Sequence, residues 1–186
     1  MSCLLYVMAI EPLAEMLRDS KLKGIRIKGV DDKILTSLFA DDTIVSLDKD
    51  DDKRVMDNCL GDFCGASTAS FNLDKTEYLP IGTKEHRAWV IKNKRLNLKA
   101  GNEIEETAKI VKDGESMRQL GGRIGNGANE TQQWETIIKK QEKVINQWKG
   151  ANLTFKGKEL ILKALVISLD QFLATVNTMP KWVQER

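Results

Sequence analysis

Two adjacent carboxylates, Asp41 and Asp42, interrupt an otherwise apolar stretch, Ser37-Leu38-Phe39-Ala40-Asp41-Asp42-Thr43-Ile44-Val45. An acidic pair alone carries no information in this chain, because Asp31-Asp32 and Asp50-Asp51-Asp52 occur nearby. The flanks distinguish this one. Residues 33–39 and 43–47 are apolar or β-branched runs separated by a short polar break, the pattern of a β-hairpin with the acids at its tip. Like charges side by side repel, and tight hairpin turns ordinarily take Asn-Gly or Asp-Gly. A divalent cation removes that penalty. Mg²⁺ is held by one or two carboxylates plus substrate phosphates at ~2.0–2.1 Å. Two such ions ~3.5–4 Å apart serve phosphoryl transfer. A solvated surface turn has the same spacing, so the residues alone leave both readings open.

The elements around the pair predict an α+β chain. Residues 4–17 read as a buried helix with Pro12 tolerated at a turn or kink. Gly24 and Gly29 punctuate short β-like pieces, beginning with Ile25-Arg26-Ile27. Asp50-Asp51-Asp52 can cap a helix carrying Val55, Met56, Cys59, Leu60 and Phe63, expected to end before Gly65. Residues 76–81 predict a strand and 84–93 a short basic helix. Residues 96–98, 108–112 and 117–124 are candidate short strands. From Asn129 the pattern turns helical. Trp134, Ile137, Ile138, Gln141, Ile145 and Trp148 trace one face, with Asn129 and Gln132 as a capping pair. Leu160, Ile161, Ala164, Leu165, Leu169, Phe172, Leu173 and Val176 trace another, which Pro180 stops. The expected organisation is an α+β part over residues 1–127 and a helical part over 128–186.

Composition excludes several classes. The 186 residues are 41% hydrophobic and 30% charged, with 29 basic against 27 acidic side chains. A chain of this size buries about 70% of its unfolded surface without a disulfide or metal staple. Three cysteines without CxxC spacing and a single histidine, His86, argue against zinc. The cysteines read as small core residues in a reducing compartment. The apolar start lacks the length of a membrane span and a basic leader region. The expected location is intracellular, in nucleus or cytoplasm, with no secretion and no membrane partner.

Phe39-Ala40-Asp41-Asp42 resembles the catalytic box of reverse transcriptases, specifically those of non-LTR (LINE-type) retrotransposons. Other blocks follow in the family's order. Residues 2–14 resemble the palm helix after a template-contacting Gln-Gly turn. Gly65 through Phe71-Asn72-Leu73-Asp74-Lys75-Thr76-Glu77 is similar to the next palm block. Leu120-Gly121-Gly122-Arg123-Ile124-Gly125 looks like the primer-grip turn. Residues 134–148 and Leu153-Thr154-Phe155-Lys156-Gly157-Lys158 resemble thumb helices. The resemblance covers essentially the whole chain. It implies the C-terminal part of a polymerase palm, an antiparallel sheet with packed helices, followed by a partial helical thumb.

The resemblance also implies roles. Asp41 would be the main metal ligand and Asp42 a weaker or outer one. Phe39 would pack under the primer end, and Ala40, at a strained turn, would leave room for the terminal sugar. Lys75 matches a palm lysine proposed to protonate the departing pyrophosphate. An ordinary exposed lysine fits that position as well, with Asn72 holding the turn. Gly121 and Gly122 would let the backbone approach the primer, although a plain β-turn also explains them. The implied cofactor is Mg²⁺, two ions in the complete site. The implied partners are an RNA template, a DNA primer and deoxynucleoside triphosphates.

Charge is segregated along the chain. Residues 31–62 hold ten acidic and four basic side chains, and residues 139–163 hold seven lysines against Glu142 and Glu159. Lys140, Lys143, Lys156 and Lys158 are the candidate nucleic-acid contacts; a solvated helix face reads the same on paper. Lys84, Arg87, Lys92, Lys94, Arg95 and Lys99 form a second basic cluster against Glu85 alone. Trp89 within it could stack a base or serve as a half-buried anchor. The family's third carboxylate, which bridges both metals, has no counterpart here, nor have the fingers. The expectation is therefore a fragment of an RNA-directed DNA polymerase that is inactive alone. The alternative is a non-catalytic nucleic-acid-binding remnant using the basic thumb face.

Overall fold

A computed structural model describes residues 2–30, 33–129 and 131–185, and for Ser2 and Cys3 the backbone only. Asp31 and Asp32, counted above in the acidic region, lie outside the described residues. The fold is mixed α+β and mostly helical, and the chain divides into two compact units, residues 1–111 and 112–186.

In the first unit, helix α1 (Ser2–Asp19) carries Pro12 inside it. Leu13, Ala14 and Leu17 are fully buried, whereas Leu4, Leu5, Tyr6, Val7 and Met8 are exposed. The expected buried helix is thus buried over its C-terminal half alone. Strands β1 (Thr36–Phe39) and β2 (Asp42–Val45) form an antiparallel hairpin. Ile25 joins Ile34 in a single bridge rather than a strand. Helix α2 (Lys53–Ser67) starts at the N-cap Asp52, whose carboxylate accepts from the Arg54 amide. It runs through Gly61 and Gly65 to Thr68, a left-handed cap. Glycine costs a helix ~1 kcal/mol per position. Burying Met56 and Phe63 against Leu13, Leu17, Leu22 and Leu35 outweighs that. Cys59 and Cys64 are free and partly buried on this helix.

Asp51 is nearly buried and accepts the amides of Lys23 (2.8 Å), Gly24 (3.1 Å) and Asp48 (2.8 Å). Three amide donors keep a buried carboxylate satisfied and tie the loop before β1 to the start of α2. Beside it, the fully buried Asn102 accepts from the Lys53 amide. The Lys53 ammonium, also buried, bonds Asp57 (2.8 Å) and Glu105 (2.6 Å), and Tyr78 donates to Glu105 (2.9 Å). Burial disfavours the Lys53 charge, but its two carboxylate partners outweigh this and hold its pKa above the usual lysine value. This network closes the first unit below strand β3 (Glu77–Tyr78), which pairs in parallel with β4 (Lys109–Ile110). Helix α3 (Lys84–Asn93) lies between them in sequence, with the expected bounds. Residues 96–98 form no strand; Arg95 and Glu103 make an isolated bridge there.

In the second unit, β5 (Met117–Gln119) and β6 (Gly122–Ile124) make an antiparallel hairpin. Helix α4 (Thr131–Trp148) follows, and the Asn129 side chain accepts from the Thr131 amide (2.9 Å). Helices α5 (Phe155–Ile161) and α6 (Ser168–Val176) are joined by a π-helical stretch, Leu162–Ile167. Widening a helix this way displaces its hydrogen-bond ladder. Gln141, read from sequence as part of an apolar face, instead donates to the Val166 carbonyl (3.1 Å) within that stretch. Pro180 N-caps the short α7 (Lys181–Gln184). Trp134, Leu173 and Val183 form the core, with Ile137, Ile138, Met179 and Trp182 against it. Among the described residues the strands form three separate two-stranded ladders, one of them parallel.

Candidate metal and nucleic-acid site

The hairpin register pairs Thr36 with Val45, Ser37 with Ile44, Leu38 with Thr43 and Phe39 with Asp42. Opposed residues share a face. Val45 packs on the core, so Thr36, Leu38 and Thr43 lie on the core side, and Phe39 and Asp42 share the other. The connection is a two-residue turn, Ala40-Asp41. Asp42 is the first residue of β2 rather than part of the turn itself. Asp41 and Asp42 are both exposed, and neither side chain has a hydrogen-bond or ion-pair partner among the described residues. Phe39, 64% exposed, stands directly across from Asp42.

Ala40 has φ +50°. A left-handed φ costs an L-residue ~1–2 kcal/mol, and glycine is the usual occupant of such a turn position. The hairpin therefore presents two unpaired carboxylates on a strained turn next to an exposed ring, and nothing internal compensates for either feature. Strain of this kind clusters at binding and catalytic sites. Ala40→Gly should stabilise the protein by about 0.5–1 kcal/mol, the strain relief less the extra unfolded-chain entropy of glycine. Urea unfolding measures this, and a destabilised A40G would show that Ala40 is not strained.

Lys75 lies elsewhere in the same unit, at the end of a 3₁₀ turn, Leu73–Lys75. Its side chain is exposed and has no partner among the described residues. The Asn72 carbonyl accepts from the Lys75 amide (3.1 Å) and the Thr76 hydroxyl (3.1 Å), so Asn72 does hold this turn, through its main chain. Nothing in the structure joins Lys75 to the carboxylate pair.

In the second unit, Leu120 and Gly121 are the turn residues of the β5–β6 hairpin, with φ +47° and +88°. A methyl group placed on Gly121 would lie 3.1 Å from Phe172 Cε1, and one on Gly122 would lie 3.1 Å from Val176 Cγ1. Both glycines thus permit close packing on α6. On α4, Lys139, Lys140 and Lys143 are exposed, and Lys139, Glu142, Lys143, Asn146 and Gln147 line a shallow groove. Lys156 and Lys158 are exposed on α5.

The donor type at Asp41 and Asp42 suits a hard cation such as Mg²⁺ completed by phosphate oxygens. No group of three or more His, Cys, Asp or Glu side chains able to hold a metal occurs among the described residues. The pair can therefore contribute to an ion but does not enclose one. The sequence offers Asp51 only within the Asp50-Asp51-Asp52 cap and does not single out Lys53 or Asn102; the burial of all three follows from long-range packing. No helix among the described residues is long and apolar enough to cross a membrane. In comparisons with known proteins, no family model matches the chain and no curated protein matches it significantly.

Proposed function

We propose that this chain is a piece of an RNA-directed DNA polymerase of the non-LTR retrotransposon type, carrying part of the palm and the start of the thumb. The observation that carries the reading is the Phe39-Ala40-Asp41-Asp42 hairpin. Its two carboxylates are adjacent, exposed and unpaired, on a turn strained at Ala40. In the complete enzyme the reaction is nucleotidyl transfer from a deoxynucleoside triphosphate to a primer 3′-hydroxyl on an RNA template. A bound Mg²⁺ there supplies charge neutralisation at the phosphates and activation of the attacking oxygen. Asp41 and Asp42 hold and orient such an ion, Phe39 supports the primer end, and Lys75 offers a proton to the leaving pyrophosphate. Gly121 and Gly122 keep the second hairpin low against α6 beside the primer.

Two carboxylates without a third ligand bind Mg²⁺ weakly and cannot align two ions. On this reading the chain alone is expected to be inactive as a polymerase. Primer extension on an RNA template with Mg²⁺ or Mn²⁺ tests this: no added nucleotide is expected, and extension abolished by Asp41→Asn would overturn it.

A second reading, non-catalytic nucleic-acid binding, is favoured by the basic side of α4. Lys139, Lys140 and Lys143 have no acidic partner among the described residues, and Lys156 and Lys158 add charge on α5. On this reading the chain binds primer–template duplex in a salt-dependent manner, and K140E/K143E removes most of the binding.

A further inference from the structure

Residues 160–176 carry only two charged side chains, Lys163 and Asp170. Lys163 is bonded to Glu159 (2.6 Å), and Asp170 is half-buried. Within this span Leu165, Leu169, Phe172 and Val176 are between 36% and 51% exposed. Their spacing, i, i+4, i+7 and i+11, sets all four on one side of the helix. Leu165 lies in the π-helical stretch, whose wider turn keeps it in line with a residue four on. The side that packs on the core is one position further along, at Val166, Leu173 and Asn177. The apolar stripe is therefore a second face, turned ~100° from the buried one. The β5–β6 hairpin borders it at Phe172 and Val176 and leaves both half exposed.

The other border of the stripe can lose water at little cost. Ala164, Ser168, Gln171 and Thr175, each one position before a stripe residue, are exposed and uncharged. The Ser168 hydroxyl donates to the Ala164 carbonyl (2.6 Å) and the Thr175 hydroxyl to the Gln171 carbonyl (2.8 Å). Both hydroxyls are satisfied inside the helix, so covering them strands no donor. The exposed apolar end of α1 lacks this arrangement: Leu4, Leu5, Tyr6, Val7 and Met8 are consecutive and point to every side of their helix. No cation stands among the four stripe residues or their uncharged border, so the face does not suit a phosphate backbone.

The spacing points to a second copy as the partner. Steps of four, three and four read the same in either direction, so a two-fold axis between residues 170 and 171 lays the helix antiparallel on itself. Leu165 of one copy then meets Val176 of the other, and Leu169 meets Phe172. A two-fold interface opposes a surface to itself, which an uncharged stripe tolerates without like-charge repulsion. The stripe and its border expose on the order of 500 Å² per copy, so a pair buries ~1,000 Å², the lower end for a specific interface. We propose that the face formed by Leu165, Leu169, Phe172 and Val176 is a self-association surface, through which this chain forms a weak antiparallel dimer. The inference stands apart from the nucleic-acid reading above.

The test is sedimentation velocity of the full chain over a micromolar-to-millimolar concentration range, where a monomer–dimer equilibrium is expected. L169E/F172E should weaken association by roughly 100-fold, because like charges then face each other across the axis. L169K/F172E should retain it in large part, since antiparallel packing sets the new lysine of one copy against the new glutamate of the other. L165E, clear of the hairpin, should also weaken the dimer, with an unchanged melting temperature ruling out unfolding. A monomer at every concentration, or a dimer untouched by L169E/F172E and L165E, overturns the proposal. Equal loss in L169E/F172E and L169K/F172E overturns the antiparallel pairing. Binding of zwitterionic phospholipid vesicles by a monomeric chain, lost in L169E/F172E, overturns the proposal in favour of a membrane surface.

Discussion

Trp134→Ala should destabilise the second unit by about 3–5 kcal/mol, the range for truncating a fully buried aromatic. Trp134 has no exposed surface and is the centre on which Leu173, Val183, Ile137, Ile138, Met179 and Trp182 pack. That core holds α4 against α6 and α7, so its loss releases the helix that carries Lys140 and Lys143. The indole N–H has no partner among the described residues although it is buried. An unpaired buried donor costs ~1–3 kcal/mol. Trp134→Phe deletes that donor while keeping an aromatic ring, and the gain offsets much of the lost volume. It should therefore lie within about 1.5 kcal/mol of the parent. Urea unfolding followed by circular dichroism separates the two. A Phe variant as damaged as the Ala variant would show that the indole N–H contributes a bond.

Gly24→Ala should cost about 2–4 kcal/mol in the first unit, by adding left-handed strain to a steric clash. Gly24 sits at φ +64°, and a methyl there would lie 2.6 Å from the Ile34 carbonyl oxygen. That carbonyl accepts the Ile25 amide (2.8 Å), in the bridge that leads into β1. The segment is pinned again by Asp51 on the Gly24 amide. Backbone cannot move aside cheaply at a point held from two directions. Gly29 provides the control. Its φ is +88° but no described residue lies within 4 Å of the added methyl, so Gly29→Ala should cost only ~1 kcal/mol. Equal losses at the two glycines would mean that conformational strain alone, and not the close approach, decides.

The parts legible in the sequence are those decided locally. Apolar runs on both sides of Ala40-Asp41 predict the hairpin, Asp52 the start of α2, and residues 84–93 the whole of α3, because turn chemistry and capping act over a few residues. Where tertiary packing decides, periodicity misleads. Gly65 does not end α2, since Phe63 is buried against α1 and carries the helix on to Thr68. The π-helical stretch shifts the register of the predicted apolar face. Leu160, Leu165, Phe172 and Val176, all on the predicted apolar face, are substantially exposed. Gln141 falls on the same face as apolar neighbours, and spacing cannot reveal that its partner is the Val166 carbonyl, 25 residues on in another element. At the candidate site the acid pair and its flanks were readable. The left-handed φ of Ala40 was anticipated only through family resemblance. The packing of Gly121 and Gly122 on α6 was not visible at all, since two glycines in a turn look alike whatever lies above them.

We propose that the Asp41-Asp42 pair at the tip of the β1–β2 hairpin holds a polymerase metal ion rather than standing as a solvated surface pair. Paramagnetic broadening by Mn²⁺, recorded on backbone amides of the full chain with a primer–template hybrid and a deoxynucleoside triphosphate present, tests it most directly. The account predicts broadening centred on residues 39–44, deeper with the nucleotide than without it, and abolished in D41N/D42N. Broadening centred instead on the Asp48 to Asp52 segment, or equally strong in D41N/D42N, would contradict it.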